Sequence, residues 1–290
     1  FVAAEKPQLG LFVTIAAGVT NMVLDFLFIG VFRWGVGGAA AATAVSEMVG
    51  GLVPLIYFGR KNGSLLRLTK TGIQGRIIVK ACANGSSELV SNLSMSLVNM
   101  LYHFQLMRVA GENGVAAYGV IMYVNLIFVS TFLGYSIGSA PIVGYHYGAE
   151  NHSELKNIFK KSMTLIGIWG ILLVTLAVSL SSVLAQIFVG YDAELMAMTS
   201  HGFRLYALAF LINGFNIYGS AFFTALNNGL ISAVISFLRT LVFQMTMVIV
   251  LPMVLGIDGI WLAIVAAELL ALLVTVQFLV RKRKVYHYLD

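Results

Sequence analysis

Eight apolar runs divide this chain: Leu9 to Val31, Val36 to Phe58, Ser86 to Ala110, Val115 to Val143, Ser162 to Val189, Gly202 to Leu226, Leu230 to Leu255 and Ile257 to Val280. Each has the length that crosses a hydrocarbon core of roughly 30 Å, about 20 residues. They are too long and too uniformly apolar for the alternating strands of an outer-membrane barrel, so each predicts a spanning helix. The pattern also repeats. Displaced by 221 residues, Gly38 falls on Gly259, Glu47 on Glu268, and Arg60 and Lys61 on Arg281 and Lys282. Both stretches carry one carboxylate within an apolar run and stop at a basic cluster, which is the mark of a duplicated membrane unit.

A six-span unit makes runs three to eight one complete copy and runs one and two the end of a preceding one. The expected fold is an all-α integral membrane protein with eight spans of a twelve-helix, two-lobe architecture. Residues 1–58 are the last two helices of the N-terminal lobe and 59–84 a cytoplasmic connector with an amphipathic surface helix. Residues 85–280 form the C-terminal six-helix lobe, and 281–290 a basic cytoplasmic tail. Opening on Phe1, the chain reads as part of a longer one.

With 59% hydrophobic and 10% charged residues, and a mean hydropathy of +0.90, the composition excludes a water-soluble domain. The net charge of +6 does not point to nucleic acid, because the basic residues sit in loops without a basic-aromatic groove. Alternate loops hold fourteen Lys and Arg, from Lys6 through the Arg60–Lys80 segment and Lys156, Lys160 and Lys161 to Arg281–Lys284; the intervening loops hold only Arg33, Arg108 and Arg204. The positive-inside rule then puts both ends of the chain on the cytoplasmic side of an inner membrane. Cys82 stands alone, so neither an intrachain disulfide nor a Cys/His metal set is expected. Nothing resembles a cleavable signal peptide, and no clustered nucleophile, acid and base marks an enzyme.

Polar groups inside the runs carry the candidate chemistry. A carboxylate at mid-membrane costs about 2.5–3.5 kcal/mol on insertion scales, so it needs a cavity or a partner. Run three is the least lipid-compatible: Glu88, Asn92, Asn99 and Tyr102 fall on one helical face. A buried acid there binds Na⁺ or exchanges H⁺, which makes Glu88 with Asn92 the candidate cation-coupling site and the only expected place for a metal ion. A solvated Glu88 paired with Lys80 is the plainer alternative. Run six adds Tyr206, Asn213, Asn216, Tyr218 and Ser220, which serve either an ion or drug site or helix-to-helix hydrogen bonds. Asn99, Tyr102, Asn213, Tyr218 and Asp25 are candidates for a substrate cavity, Asp25 equally for a helix-to-helix bond. Arg239 needs a partner, and Glu268 is the expected one. Glu47 and Glu268, matched across the repeat, read as architectural. Gly138, Pro141 and Pro252 mark expected helix bends.

The segments Asn21-Met22-Val23-Leu24-Asp25, Gly114 to Gly119 and, most specifically, Gly138 to Ala149 resemble the multidrug and toxic compound extrusion (MATE) transporters. The resemblance implies helices five to twelve of twelve, and antiport of drugs or other organic, often cationic compounds against Na⁺ or H⁺ by rocking lobes, in a monomer with no further cofactor. It also implies an acid on helix seven acting with one on helix ten. Glu88 fits the first position and Asn216 stands at the second, where a neutral amide ligates Na⁺ but carries no proton. A lipid-linked oligosaccharide flippase of the same superfamily, or a non-catalytic membrane subunit, is the alternative.

Overall fold

The computed structural model describes all residues except Leu65, Lys70, Thr71, Ile73, Leu289 and Asp290, and leaves out the side chains of Ser87, Glu88 and Ser91. The described residues form helices and no strand. Two units emerge, Phe1–Gln74 and Gly75–Asp290.

The first unit is a hairpin of α1 (Pro7–Asp25), extended by a π-helical turn at Phe26–Val31, and α2 (Gly35–Gly59). The buried positions of α2, Gly38, Ala42 and Ser46, recur every fourth residue. Such small side chains let helix backbones approach closely in lipid. Phe28 and Trp34 stack at 4.8 Å beside Gly38 and close the turn.

The second unit contains α3 (Gly75–Asn84), α4 (Ser86–Gly148), α5 (His152–Val189), α6 (Ala193–Ala207), α7 (Phe210–Ala225), α8 (Gly229–Ser236), a π-helical segment Phe237–Phe243, α9 (Gln244–Leu255) and α10 (Ile257–Tyr286). At about 1.5 Å per residue an unbroken α4 would far exceed a bilayer. It is interrupted at Gly111, whose φ of 63° and ψ of −152° only glycine adopts readily. Among the described residues, six helices are long and apolar enough to cross a membrane, or seven if the bent pair α6 and α7 is one span. That differs from the eight expected spans because runs three and four share the helix α4, and because run six corresponds to two short helices meeting at 48°.

In α5 the buried residues run Leu155, Phe159, Ser162, Ile166, Gly170, Leu173 and Ala177, at steps of three and four, while Ile168, Ile171 and Ile187 on other faces are exposed. The stripe faces the bundle and the rest suits lipid. Three helix starts, those of α5, α6 and α8, are capped by side chains: Asn151 accepts from Glu154 N, Asp192 from Glu194 N and Leu195 N, and Asn228 from Ile231 N. At the chain end, fully buried Tyr288 donates to Leu279 O at 2.6 Å and packs on Phe159 and Phe222; burial pushes its phenol up. The connector helix α3 is tied to this unit by Asn84 Nδ2 donating to Thr224 O at 3.3 Å.

The sequence repeat extends to backbone conformation. Gly35 and Gly256, again 221 residues apart, have φ of +60° and +59°, each opening the last span of its copy. Beyond the Gly256 turn, a Cβ on Gly259 would lie 2.4 Å from Leu251 O, so α9 and α10 meet backbone to backbone. Pro141 and Pro252 lie within helices, as does Gly138; the backbone takes positive φ at Gly111 and Gly256. Gly256→Ala is expected to cost about 1–3 kcal/mol, read as a lower melting temperature in detergent. Gly134→Ala, with open space around its Cβ, should leave that temperature unchanged or slightly higher.

Candidate functional site

A cavity of about 240 Å³ lies inside the second unit. Its walls come from five stretches, each with at least one polar residue. The first part of α4 contributes Asn92, Met95, Asn99 and Tyr102; the part after Gly111 contributes Tyr118, Met122, Asn125 and Val129. Tyr206 of α6, with Asn213, Ile217 and Ser220 of α7, forms a third wall. Ser236, Arg239, Thr240 and Gln244 come from around the π-helical segment, and Ile264 and Glu268 from α10. The extra residue in a π-helical turn re-aims the side chains around it, a device common at functional sites.

Glu268 lies on the buried stripe Ile264, Ala267, Glu268, Ala271 and Thr275 of α10, and is itself fully buried. Arg239 Nε donates to its two oxygens at 2.9 and 3.0 Å, and Asn216 Nδ2 to Oε2 at 2.7 Å. Asn216 also donates to Glu268 O at 2.9 Å and accepts from Thr275 Oγ1 at 3.0 Å. The Arg239 guanidinium reaches Asn213 Oδ1 as well, and its side chain is 15% exposed. In low dielectric an isolated charge is prohibitive, but a matched, fully hydrogen-bonded pair is sustainable.

Hydroxyls line another part of the wall. Ser220 Oγ lies 2.8 Å from Ser232 Oγ and 2.9 Å from Ser236 Oγ, and Thr224 donates to Ser232 at 2.7 Å. Tyr102 and Tyr118 stack with centroids 4.9 Å apart, and Tyr118 OH donates to Asn99 Oδ1 at 3.1 Å. The Tyr102 hydroxyl and Asn125 Oδ1 are buried without a hydrogen-bond partner among the described residues. Acceptors, donors, one guanidinium and flat aromatic faces thus surround a space able to hold water or part of a small organic molecule.

The structure brings together Asn92, Asn99, Tyr102, Asn213, Ser220, Arg239 and Glu268. Asn216 sits outside the cavity lining, behind Glu268, its amide engaged there. Tyr218, a candidate for the cavity, is buried outside its lining, stacked on Phe222 and tilted against Tyr135. Glu88 lies in α4 one helical turn before Asn92, and its side chain is outside the described residues. Asp25, the last residue of α1, and exposed Glu47 of α2 belong to the first unit. Among the described residues no three His, Cys, Asp or Glu gather as a metal set.

Tyr118, Asn125, Ser236, Thr240 and Gln244 escaped sequence reasoning. A usable signal existed in the four-residue steps Ser232, Ser236, Thr240 and Gln244, which put hydroxyls and an amide on one face of an otherwise apolar run.

These features define a cavity of mixed apolar and polar lining within a bundle of membrane-spanning helices, and comparison with known proteins places it. The MatE family profile matches residues 89–250, more than half the chain, and the chain belongs to that family. The multidrug export protein MepA of Staphylococcus saprophyticus is 26% identical over 170 residues, 58% of this chain and 37% of its own length. MepA of Staphylococcus haemolyticus is 24% identical over 159 residues, 54% of this chain and 35% of its length. A solved structure of MATE in complex with MaL6 shares the fold at a TM-score of 0.88 and 22% identity, covering 95% of this chain and 62% of that one. The matches thus span little more than a third of the curated relatives' length. The chain is a multi-pass membrane protein.

Removing Glu268 alone, as Glu268→Leu, strands a half-buried guanidinium, with an expected cost of up to about 3–5 kcal/mol. The double variant Glu268→Leu with Arg239→Met should recover most of that loss. A double-mutant cycle on melting temperatures in lipid nanodiscs checks the coupling; additive effects would mean that the two side chains do not act as a pair.

Proposed function

We propose that this chain is the larger part of a secondary active efflux transporter, exchanging cytoplasmic drugs or other organic, often cationic compounds for Na⁺ or H⁺ by alternating access of two lobes. The observation that carries this reading is the 240 Å³ cavity, mainly apolar with inward-facing amides, hydroxyls and one ion pair, inside a bundle with lipid-suited outer faces, in a chain of the MatE family. The names of the two staphylococcal relatives, multidrug export proteins, point the same way.

Counting α4 as two spans divided at Gly111, and α6 with α7 as one, gives the eight expected: two of an N-terminal lobe and six of a C-terminal one. The basic loops orient both ends toward the cytoplasm, in an inner membrane. Glu88, with Asn92 beside it on the cavity wall, carries the coupling cation, and no other cofactor is needed. Asn216 contributes at one remove, by holding Glu268. Asn99, Tyr102 and Asn213 contact substrate in the cavity; Asp25 does the same for the first unit, while Glu47, Glu268 and Arg239 are architectural. The protein acts as a monomer in the bilayer, without nucleic acid. A flippase for pyrophosphate-linked lipids would need surplus positive charge, whereas the guanidinium here is matched by a carboxylate.

Proteoliposomes loaded with ethidium or norfloxacin test the proposal. Flux should follow an imposed Na⁺ or H⁺ gradient, and Glu88→Gln should reduce coupled flux at least tenfold with the helical circular dichroism unchanged. Flux indifferent to both gradients would reject antiport, and normal transport by Glu88→Gln would reject the coupling site.

A further inference from the structure

The Glu268 carboxylate accepts three contacts from two donors, two from Arg239 Nε and one from Asn216 Nδ2, and Arg239 also reaches Asn213 Oδ1. A carboxylate and a neutral amide oxygen from two helices therefore converge on one positive group at a cavity wall. Hard oxygens of this kind, one of them anionic, are what an alkali cation takes when no arginine is present. We infer that Arg239 is a tethered counter-cation, occupying from within the chain a monovalent-cation site made by Glu268 and Asn213.

Three observations carry the inference. The carboxylate is fully buried, so in lipid it must be matched by a proton, an ion or a basic side chain. A guanidinium stays charged at any pH a protein tolerates, so while Arg239 is in place Glu268 neither gains nor releases a cation. Both residues line the cavity, but the Arg239 side chain is 15% exposed and that of Glu268 is not, so an ion arriving from the cavity meets the guanidinium first and competes with it for the same oxygens. The inference concerns occupancy of Glu268 and stands apart from whether the protein exports a drug.

The test is the melting temperature of the protein in nanodiscs, in NaCl against choline chloride at equal ionic strength. Alkaline buffer keeps a proton from taking the cation's place. The wild type and Glu268→Gln should respond to Na⁺ alike, any shared response belonging to another site. Arg239→Met should gain an additional Na⁺-specific rise of about 3 °C or more, because an ion that binds only the folded state stabilises it. Arg239→Lys, and Arg239→Met combined with Glu268→Gln, should not gain it. If Arg239→Met is not recovered folded, Arg239→Gln, whose amide still donates to Glu268, gives the same readout. The inference is overturned if neither single variant gains a Na⁺ response over wild type, or if Glu268→Gln removes a response that the wild type has. Because binding rather than flux is read, a protein that moves no drug would overturn the proposed transport function without touching this result.

Discussion

A carboxylate within a lipid-embedded bundle has to be neutralised locally, since neither water nor distant charge screens it there. Glu268 meets that demand with one guanidinium held along both oxygens and one amide behind it. Satisfying the pair sets constraints outward. Asn216 must face α10 from α7 and Asn213 must face Arg239, Thr275 must close the remaining acceptor on Asn216, and Arg239 must approach from the helix that follows α8. The cavity exists where these polar groups turn inward and the bulky apolar groups of the same helices turn out.

Backbone irregularities make that arrangement possible. The π-helical turn at Phe237–Phe243 carries Arg239 and Thr240 to the wall. The 48° bend between α6 and α7 lets Tyr206 and Asn213 approach the same space from different directions. The left-handed turn at Gly256 brings α10 back against α9 so closely that Gly259 has no room for a Cβ, which fixes the depth of Glu268 along its helix.

Much of this was legible in the sequence. Uninterrupted apolar length announces helices in lipid, and the cost of a lone mid-membrane charge made Arg239 and Glu268 natural partners before any coordinates. The stripe Asn92, Asn99 and Tyr102 followed from helical periodicity alone and does line the cavity. Boundaries were less legible. The α5 helix begins at His152, ten residues before its apolar run, because Lys156, Lys160 and Lys161 depress hydropathy while Leu155 and Phe159 already pack inward. Isolated groups such as Asn125 and Tyr118 gave no signal, since their approach to the cavity depends on a break at Gly111 that periodicity does not encode. Tyr218 is buried outside the cavity lining, a placement on α7 that helical periodicity does not encode either.

The central claim is that Glu268 is ionised and matched by Arg239 inside the bundle. Infrared difference spectroscopy in lipid, wild type against Glu268→Gln, reads that state directly. The account predicts loss of an ionised carboxylate band, at a position shifted by guanidinium pairing and moved again by Arg239→Lys. Loss of a protonated carboxyl band instead, unaffected by substitution at Arg239, would contradict it.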